Sequence, residues 1–355
     1  MRQISILGTT SCAILMGLAP LFGQGITLSG TGYTDPSTIR VAPGQITTLF
    51  VTGLKTVLSS QPVNATIVPL PVTLAGISVT LNQPGNQPTP VPLLSVQQVS
   101  VCSNGGVTPP ASGLTADCLL TAITVQIPFE LTGPGIGPPP SVPTSPSTPA
   151  LVVSENGNVS KAFTVSPVPD NLHVINICDG FPSPKVTSAS GFCGPLVTHA
   201  DGTLVTANAP AQPDEEIVIW AYGLGQTSPG AKTGQASPTP AATLSSAFPD
   251  ITVSSTPLYL QFDFRSNATP SSPFINRFSA TPPPTPTFAG LTPGQVGLYQ
   301  INVRIPSSIP AVDSCGSTCS HVACTMYNTV TSNLTIDIGA NLSWDGAAIC
   351  VQPGQ

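Results

Sequence analysis

One pattern in this chain is written twice. Ala42-Pro43-Gly44-Gln45-Ile46-Thr47-Thr48-Leu49-Phe50-Val51-Thr52-Gly53-Leu54 lines up with Gln212-Pro213-Asp214-Glu215-Glu216-Ile217-Val218-Ile219-Trp220-Ala221-Tyr222-Gly223-Leu224. Each copy has a proline turn, a β-prone run and Gly-Leu. Val125-Gln126-Ile127-Pro128 matches Val303-Arg304-Ile305-Pro306, and Ser160-Lys161-Ala162-Phe163-Thr164-Val165 resembles Ser332-Asn333-Leu334-Thr335-Ile336. Order and rough spacing hold across the series, which marks an internal repeat.

The repeated runs read as strands. In Tyr299-Gln300-Ile301-Asn302-Val303-Arg304-Ile305 one face is apolar and the other polar, the period of a half-buried strand. Residues 76–82 and 123–127 alternate too, residues 46–51 and 217–222 are short β-prone runs bounded by turn residues, and Pro128 and Pro306 end their strands because proline cannot donate to the ladder. With 42 Pro, 32 Gly and only 7% charged residues, long surface helices and coiled coils are excluded. The expected fold is all-β: two tandem immunoglobulin-like antiparallel β-sandwich domains with long Pro-rich loops, at 133–149 and 266–287. The expected division is a signal peptide over 1–25, repeat 1 over 26–166, a connector over 167–209 and repeat 2 over 210–355. Thr198-His199-Ala200-Asp201-Gly202-Thr203-Leu204-Val205 in the connector reads as a hairpin turning at Asp-Gly.

The first residues carry an address. Arg2 is the only charge before Asp35, an apolar stretch runs from Ile4 to Phe22, and Gly23 and Gly25 suit cleavage before Ile26. A secreted or cell-surface protein is expected, with no membrane span in the mature chain. Nine Lys and Arg, set against 15 Asp and Glu, make no basic patch, so nucleic acid is not an expected partner.

Cys12 would leave with the signal. The eight cysteines beyond it are disulfide candidates in an oxidising compartment. Cys102 with Cys118, and Cys178 with Cys193, flank irregular loops. Near the end, Cys315 is expected to pair with Cys319 and Cys324 with Cys350. The rival reading is a zinc site from Cys315, Cys319, His321 and Cys324; the loop staple is preferred, and no metal or cofactor is expected.

The run Thr292-Pro293-Gly294-Gln295-Val296-Gly297-Leu298-Tyr299-Gln300-Ile301-Asn302-Val303-Arg304-Ile305-Pro306 resembles the uncharacterised Solibacter-type C-terminal domain family of secreted acidobacterial proteins. So do Ala42-Pro43-Gly44, Thr52-Gly53-Leu54, Leu70-Pro71-Val72-Thr73-Leu74-Ala75-Gly76-Ile77-Ser78-Val79, Ala221-Tyr222-Gly223-Leu224-Gly225 and Ser332-Asn333. The similarity spans about residues 40 to 338 and implies export and a pair of β-sandwiches. It implies no activity, and no catalytic residue carries over. Two departures stand out: Ser95-Val96-Gln97-Gln98 where repeat 1 would have its Pro-Gly-Gln turn, and Asp214 where glycine is usual.

Catalytic motifs are missing from the sequence: there is no Gly-x-Ser-x-Gly elbow, no His-Glu-x-x-His and no phosphate loop. His173, His199 and His321 read as solvated or hydrogen-bonded loop residues. Asp214-Glu215-Glu216 reads as a solvated strand start rather than calcium ligands. Trp220, Tyr222, Phe262, Phe264 and Tyr299 are expected in the core. Trp344, beside Asp345-Gly346, is the aromatic expected to be exposed and a possible ligand contact. The functional expectation is an exported non-enzymatic structural or interaction module. The alternative is a carbohydrate-binding or adhesive surface protein, with polysaccharide or protein as partner. Self-assembly through edge strands is a further option. A hydrolase would require His, Asp and Ser side chains converging in one pocket.

Overall fold

The computed structural model describes residues 25–31, 39–58, 61–100, 118–133, 136, 148–177, 179, 194–244, 258–270, 284–319, 329–340 and 342–353. The regular elements among them are all β-strands. None of the described residues forms a helix long and apolar enough to cross a membrane.

The first unit contains β1 (Thr27–Thr31), β2 (Ile39–Val41), β3 (Ile46–Thr52), β4 (Val63–Asn64), β5 (Thr73–Leu74), β6 (Ile77–Asn82), β7 (Thr89–Val91), β8 (Leu93–Ser100), β9 (Leu119–Gln126), β10 (Ala150–Glu155), β11 (Asn158–Val159) and β12 (Phe163–Pro167). They form two sheets, β1-β3-β9-β8-β4 and β2-β12-β10-β6-β5, with β7 and β11 hung on the second. Pairing is antiparallel except between β2 and β12. Alternate residues of each strand point inward, so Leu49, Val51, Ile123 and Val125 of one sheet share an apolar cluster with Val79, Leu81, Leu151 and Val153 of the other. Ser95–Gln98, the departure from the Pro-Gly-Gln motif, lies inside β8.

The second unit contains β13 (His173–Val174), β14 (Val197–His199), β15 (Glu216–Tyr222), β16 (Thr227–Ser228), β17 (Thr243–Leu244), β18 (Tyr259–Asp263), β19 (Phe288–Leu291), β20 (Tyr299–Arg304), β21 (Leu334–Gly339) and β22 (Trp344–Ile349). One sheet runs β13-β15-β20-β19-β17-β16 with β14 also on β15, and the other runs β18-β21-β22. They too enclose one cluster, with Ile219, Ile301 and Tyr299 from the first and Phe262, Ile336 and Ile338 from the second. Two strands of the segment expected to be a connector, β13 and β14, are thus edge pieces of this sheet. The Asp-Gly hairpin forms: His199 N donates to Thr203 O at 2.8 Å and Gly202 N to His199 O at 3.0 Å.

The two units repeat their central register. Thr47 faces Val125 and Leu49 faces Ile123; Ile217 faces Val303 and Ile219 faces Ile301. The turns before β3 and β15 also agree. Gln45 N donates to Ala42 O and Glu215 N to Gln212 O, each at 3.2 Å. The third turn residue has positive φ in both, 73° at Gly44 and 62° at Asp214. The acceptor side chain closes each turn: Gln45 Oε1 takes Ala42 N at 2.8 Å, and Glu215 Oε2 takes Gln212 N at 2.7 Å.

The third sequence match does not follow this plan. β12 lies parallel to β2, with Pro167 opposite Val41. The equivalent parallel bridge in the second unit joins Ala211 to Val351, just past β22. β12 therefore corresponds to β22, and the strand after Ser332-Asn333, β21, takes the place of β10 between two neighbours. Both segments alternate polar and apolar residues, and that shared period cannot separate an edge from an interior strand. Burial does: every residue of β21 is buried, whereas in β12 only Val165 is.

The cysteine pairing also differs from expectation. Cys315 bonds to Cys350, with Cα atoms 5.9 Å apart, instead of Cys315 to Cys319 and Cys324 to Cys350. Gly316 N donates to Val330 O and Val330 N to Ser317 O. This ladder lays the 315–318 turn against residues 329–330 and carries Cys315 to the end of β22. Cys118 and Cys319 are also disulfide-bonded, so neither Cys315 nor Cys319 offers a thiolate to zinc. Cys102, Cys178, Cys193, Cys324 and His321 lie outside the described residues, as does most of both expected Pro-rich loops.

The units are bolted together. Phe129, just past β9 of the first unit, is buried within the second unit's apolar cluster. Beside it Gly234 N donates to Gln126 Oε1 at 2.6 Å, Phe129 N to Thr233 Oγ1 at 2.9 Å and Leu70 N to Gly234 O at 2.7 Å.

Candidate functional site

A groove of about 450 Å³ opens where three distant segments meet: Arg40 of β2, residues 171–176 around β13, and residues 342–345 at the start of β22. The middle segment is held from below. Asn171 N donates to Gly223 O at 2.7 Å and Asn171 Nδ2 to Arg40 O at 3.1 Å. A Cβ on Gly223 would stand 2.2 Å from Asn171 O, and its φ is 76°, so only glycine fits that repeated Gly-Leu position.

Asp170 fixes the facing wall. Its buried carboxylate accepts Leu342 N at 3.0 Å and the Ser343 hydroxyl, whose oxygen in turn accepts Leu172 N at 2.8 Å. Burial raises the Asp170 pKa, opposed by these bonds and by the charge of Arg40. Arg40 itself is exposed and donates to Leu342 O at 3.3 Å.

His173 carries the strongest electrostatics. Nε2 is 2.6 Å from Asp179 Oδ2 and Nδ1 is 3.5 Å from Asp345 Oδ2, with the ring side chain 13% exposed. Burial works against the charged ring, but the hydrogen bonds and charges of Asp179 and Asp345 outweigh it and raise the pKa to about 9. The ring is therefore an imidazolium at neutral pH. Both carboxylates are braced, Asp345 Oδ2 by Val174 N at 2.7 Å and Asp179 Oδ2 by Asn176 N at 2.7 Å. Tyr222, across from His173 in the register, has its pKa raised by burial and by Asp179.

His, Asp and Ser do converge here, the condition set for a hydrolase. The bonding does not make a nucleophilic relay. A general base needs one ring nitrogen with a free lone pair aimed at the nucleophile. Both nitrogens of His173 face carboxylates and both carry protons. The Ser343 hydroxyl donates to Asp170. What the groove offers is a set of fixed hydrogen-bonding groups beside an aromatic ring.

That ring is Trp344, which is 45% exposed. Tyr299, Phe262 and Phe264 are buried as expected. Trp220 and Tyr222 are not core residues: Ile217, Ile219 and Ala221 take the inward face of β15, which leaves them half-buried on the other, with Trp220 Nε1 donating to Thr198 Oγ1 at 3.2 Å. His173 and His199 lie in strands instead of loops. His199 Nδ1 is 2.5 Å from Glu215 Oε1. Glu215 also closes its turn, so it is a bonded residue, not a solvated one. Of the groove, the sequence singled out Trp344 alone as a contact; Arg40, Asn171, Asn176 and Asp170 carried no signal, and His173 was marked only as a hydrogen-bonded residue. Scanned against models of protein families the chain matches none, and a search of curated proteins finds no match.

Proposed function

We propose that this protein is an exported, non-enzymatic interaction module of the cell surface or extracellular space. It is built as two tandem immunoglobulin-like sandwiches of the Solibacter-type family its motifs resemble. The repeated register and turn geometry support the tandem reading. The N-terminal apolar stretch and the disulfide chemistry, favoured in oxidising compartments, support export. The observation that carries the non-enzymatic reading is the state of His173 and Ser343: the groups that could do acid–base or nucleophilic chemistry are spent on holding the groove's shape.

A carbohydrate-binding or adhesive role is the second reading, favoured by the half-exposed indole of Trp344. Fractionation of cells producing the full chain, with mass spectrometry of its N-terminus, tests the main reading. A mature protein beginning at Ile26 outside the cytoplasm is the expected result. An intact chain confined to the cytoplasm would overturn it.

A further inference from the structure

We propose that the groove between β2, β13 and β22 binds an uncharged glycan, one sugar ring lying on the Trp344 indole and its hydroxyls bonded by Arg40, Asn171 and Asn176. The assignment deepens the interaction-module reading and rests on it.

The ligand's charge follows from the groove's ion pairs. The His173 imidazolium sits between Asp179 and Asp345, and Arg40 lies in the field of buried Asp170. Two cations stand among three carboxylates, so no net positive charge is left to attract a phosphate, a sulfate or an acidic sugar, and both carboxylates beside His173 are already held by the ring and by a backbone N–H. A neutral polar ligand fits instead.

The ligand's shape follows from the indole. Bulky aromatics of the second unit such as Tyr299 and Phe262 are wholly buried, while Trp344 is 45% exposed on a strand start whose backbone is fixed. A pyranose presents a face of C–H groups that covers such a ring, and hydroxyls around its edge. Trp suits that combination because its body is apolar and its surroundings here are polar. The hydroxyls need donors and acceptors together. Asn171 and Asn176 each commit the amide NH₂ to a backbone carbonyl, of Arg40 and of Val174, and their amide oxygens have no protein donor among the described residues. Arg40 commits one nitrogen to Leu342 O, and its fork carries further donors.

The walls are set before any ligand arrives. Asp170 pins Leu342 and Ser343, and Val174 N pins Asp345, so little ordering entropy opposes binding. The volume falls in the range of small-molecule sites, and the open shape admits an internal stretch of a chain.

The test is affinity electrophoresis of the mature protein through gels holding neutral polysaccharides (soluble β-glucan, xylan, galactomannan, amylose) or anionic ones (alginate, polygalacturonate). Retardation by at least one neutral polysaccharide is expected, and it should survive about 0.5 M NaCl because screening touches only charge–charge attraction. Trp344→Ala should weaken it by about tenfold or more, Trp344→Phe by less, and Arg40→Gln by several-fold. Melting temperatures check the fold, and exposed Arg40 carries the comparison if Trp344→Ala unfolds. No retardation by any neutral polysaccharide overturns the assignment. So does retardation unchanged in the variants, or binding confined to anionic polymers and lost in salt. A protein shown to be exported but binding no neutral glycan loses this assignment alone; a glycan binder confined to the cytoplasm loses the export reading alone.

Discussion

The turns that open β3 and β15 share the bonds that close them and tie them to the next strand's end, yet differ at their third residue. Gly44 lies under the ring of Phe129, and a Cβ there would fall 2.2 Å from a ring carbon. Asp214 has the same left-handed φ, but its side chain is 67% exposed and lies 3.6 Å from Arg304. Left-handed φ favours glycine and tolerates Asp or Asn at a modest cost. What makes glycine necessary in one turn and optional in the other is what lies above it. The first turn is the floor of the joint between units; the second faces solvent.

The largest effect should come from the joint itself. Phe129 belongs to the first unit's chain and the second unit's core. Phe129→Ala should cost roughly 3–5 kcal/mol, as large-to-small core changes do. It should also uncouple the units, so calorimetry is expected to split one melting transition into two. A single transition at the wild-type temperature would show that Phe129 is not the joint.

The second unit has a covalent tie. By the parallel bridges, Val351 corresponds to Pro167, so Cys350 takes the place of Ser166. Replacing Cys315 and Cys350 together by serine should cost about 2–4 kcal/mol, the usual worth of a disulfide closing a loop of this kind. In the Phe129→Ala background, where the units melt apart, only the second unit's transition should respond, and equal loss in both transitions would mean that the effect still crosses the joint.

The pattern of what sequence could and could not reveal follows the same division. The turn and strand of each unit were legible because they rest on local rules, a proline turn and a period of two. Assigning β12 to β21 failed because period two says nothing about which neighbours a strand will have. The pairing of Cys315 with Cys350 was illegible for a similar reason: it depends on a ladder between residues 316–317 and 330 that no local pattern announces. The groove draws on residues from three segments more than a hundred positions apart. Trp344 was noticed because it stands near the C-terminus beside Asp345-Gly346, apart from the aromatics placed in strands. Arg40 and Asn171 looked like any polar surface residues.

Alkaline pH should separate the units next. In the register, Thr27 of β1 faces Thr52 where His173 faces Tyr222, so only the second unit has a titrating group at this position. The folded pKa of His173 is about 9, above the unfolded value. Its contribution is thus complete below about pH 6.5 and is lost as pH rises through 9. The shift is worth up to about 3 kcal/mol. In the Phe129→Ala background, denaturant melts between pH 7 and 9 should show the second unit weakening while the first holds. Tyr222 adds a loss only at higher pH, because its raised pKa lies above the ordinary tyrosine value. His173→Gln should flatten the slope over that interval, and a slope unchanged by this variant would assign it to another group.

Exchanging the two turn residues gives the smallest effects and the sharpest contrast. Gly44→Asp brings a side chain against Phe129 and should cost about 2 kcal/mol or more, because ring and turn cannot both keep their places. Asp214→Gly relieves the left-handed strain by roughly 1 kcal/mol. It gives most of that back through the added freedom of the unfolded chain and the loss of an exposed ion pair worth under about 1 kcal/mol. The bond from Arg304 Nη1 to the backbone oxygen of residue 214, 2.8 Å long, does not depend on the side chain and stays. Stability should therefore remain within about 0.5 kcal/mol of the wild type by chemical denaturation. Equal losses from both substitutions would mean that the turn's own φ, and not the ring above it, decides where glycine is required.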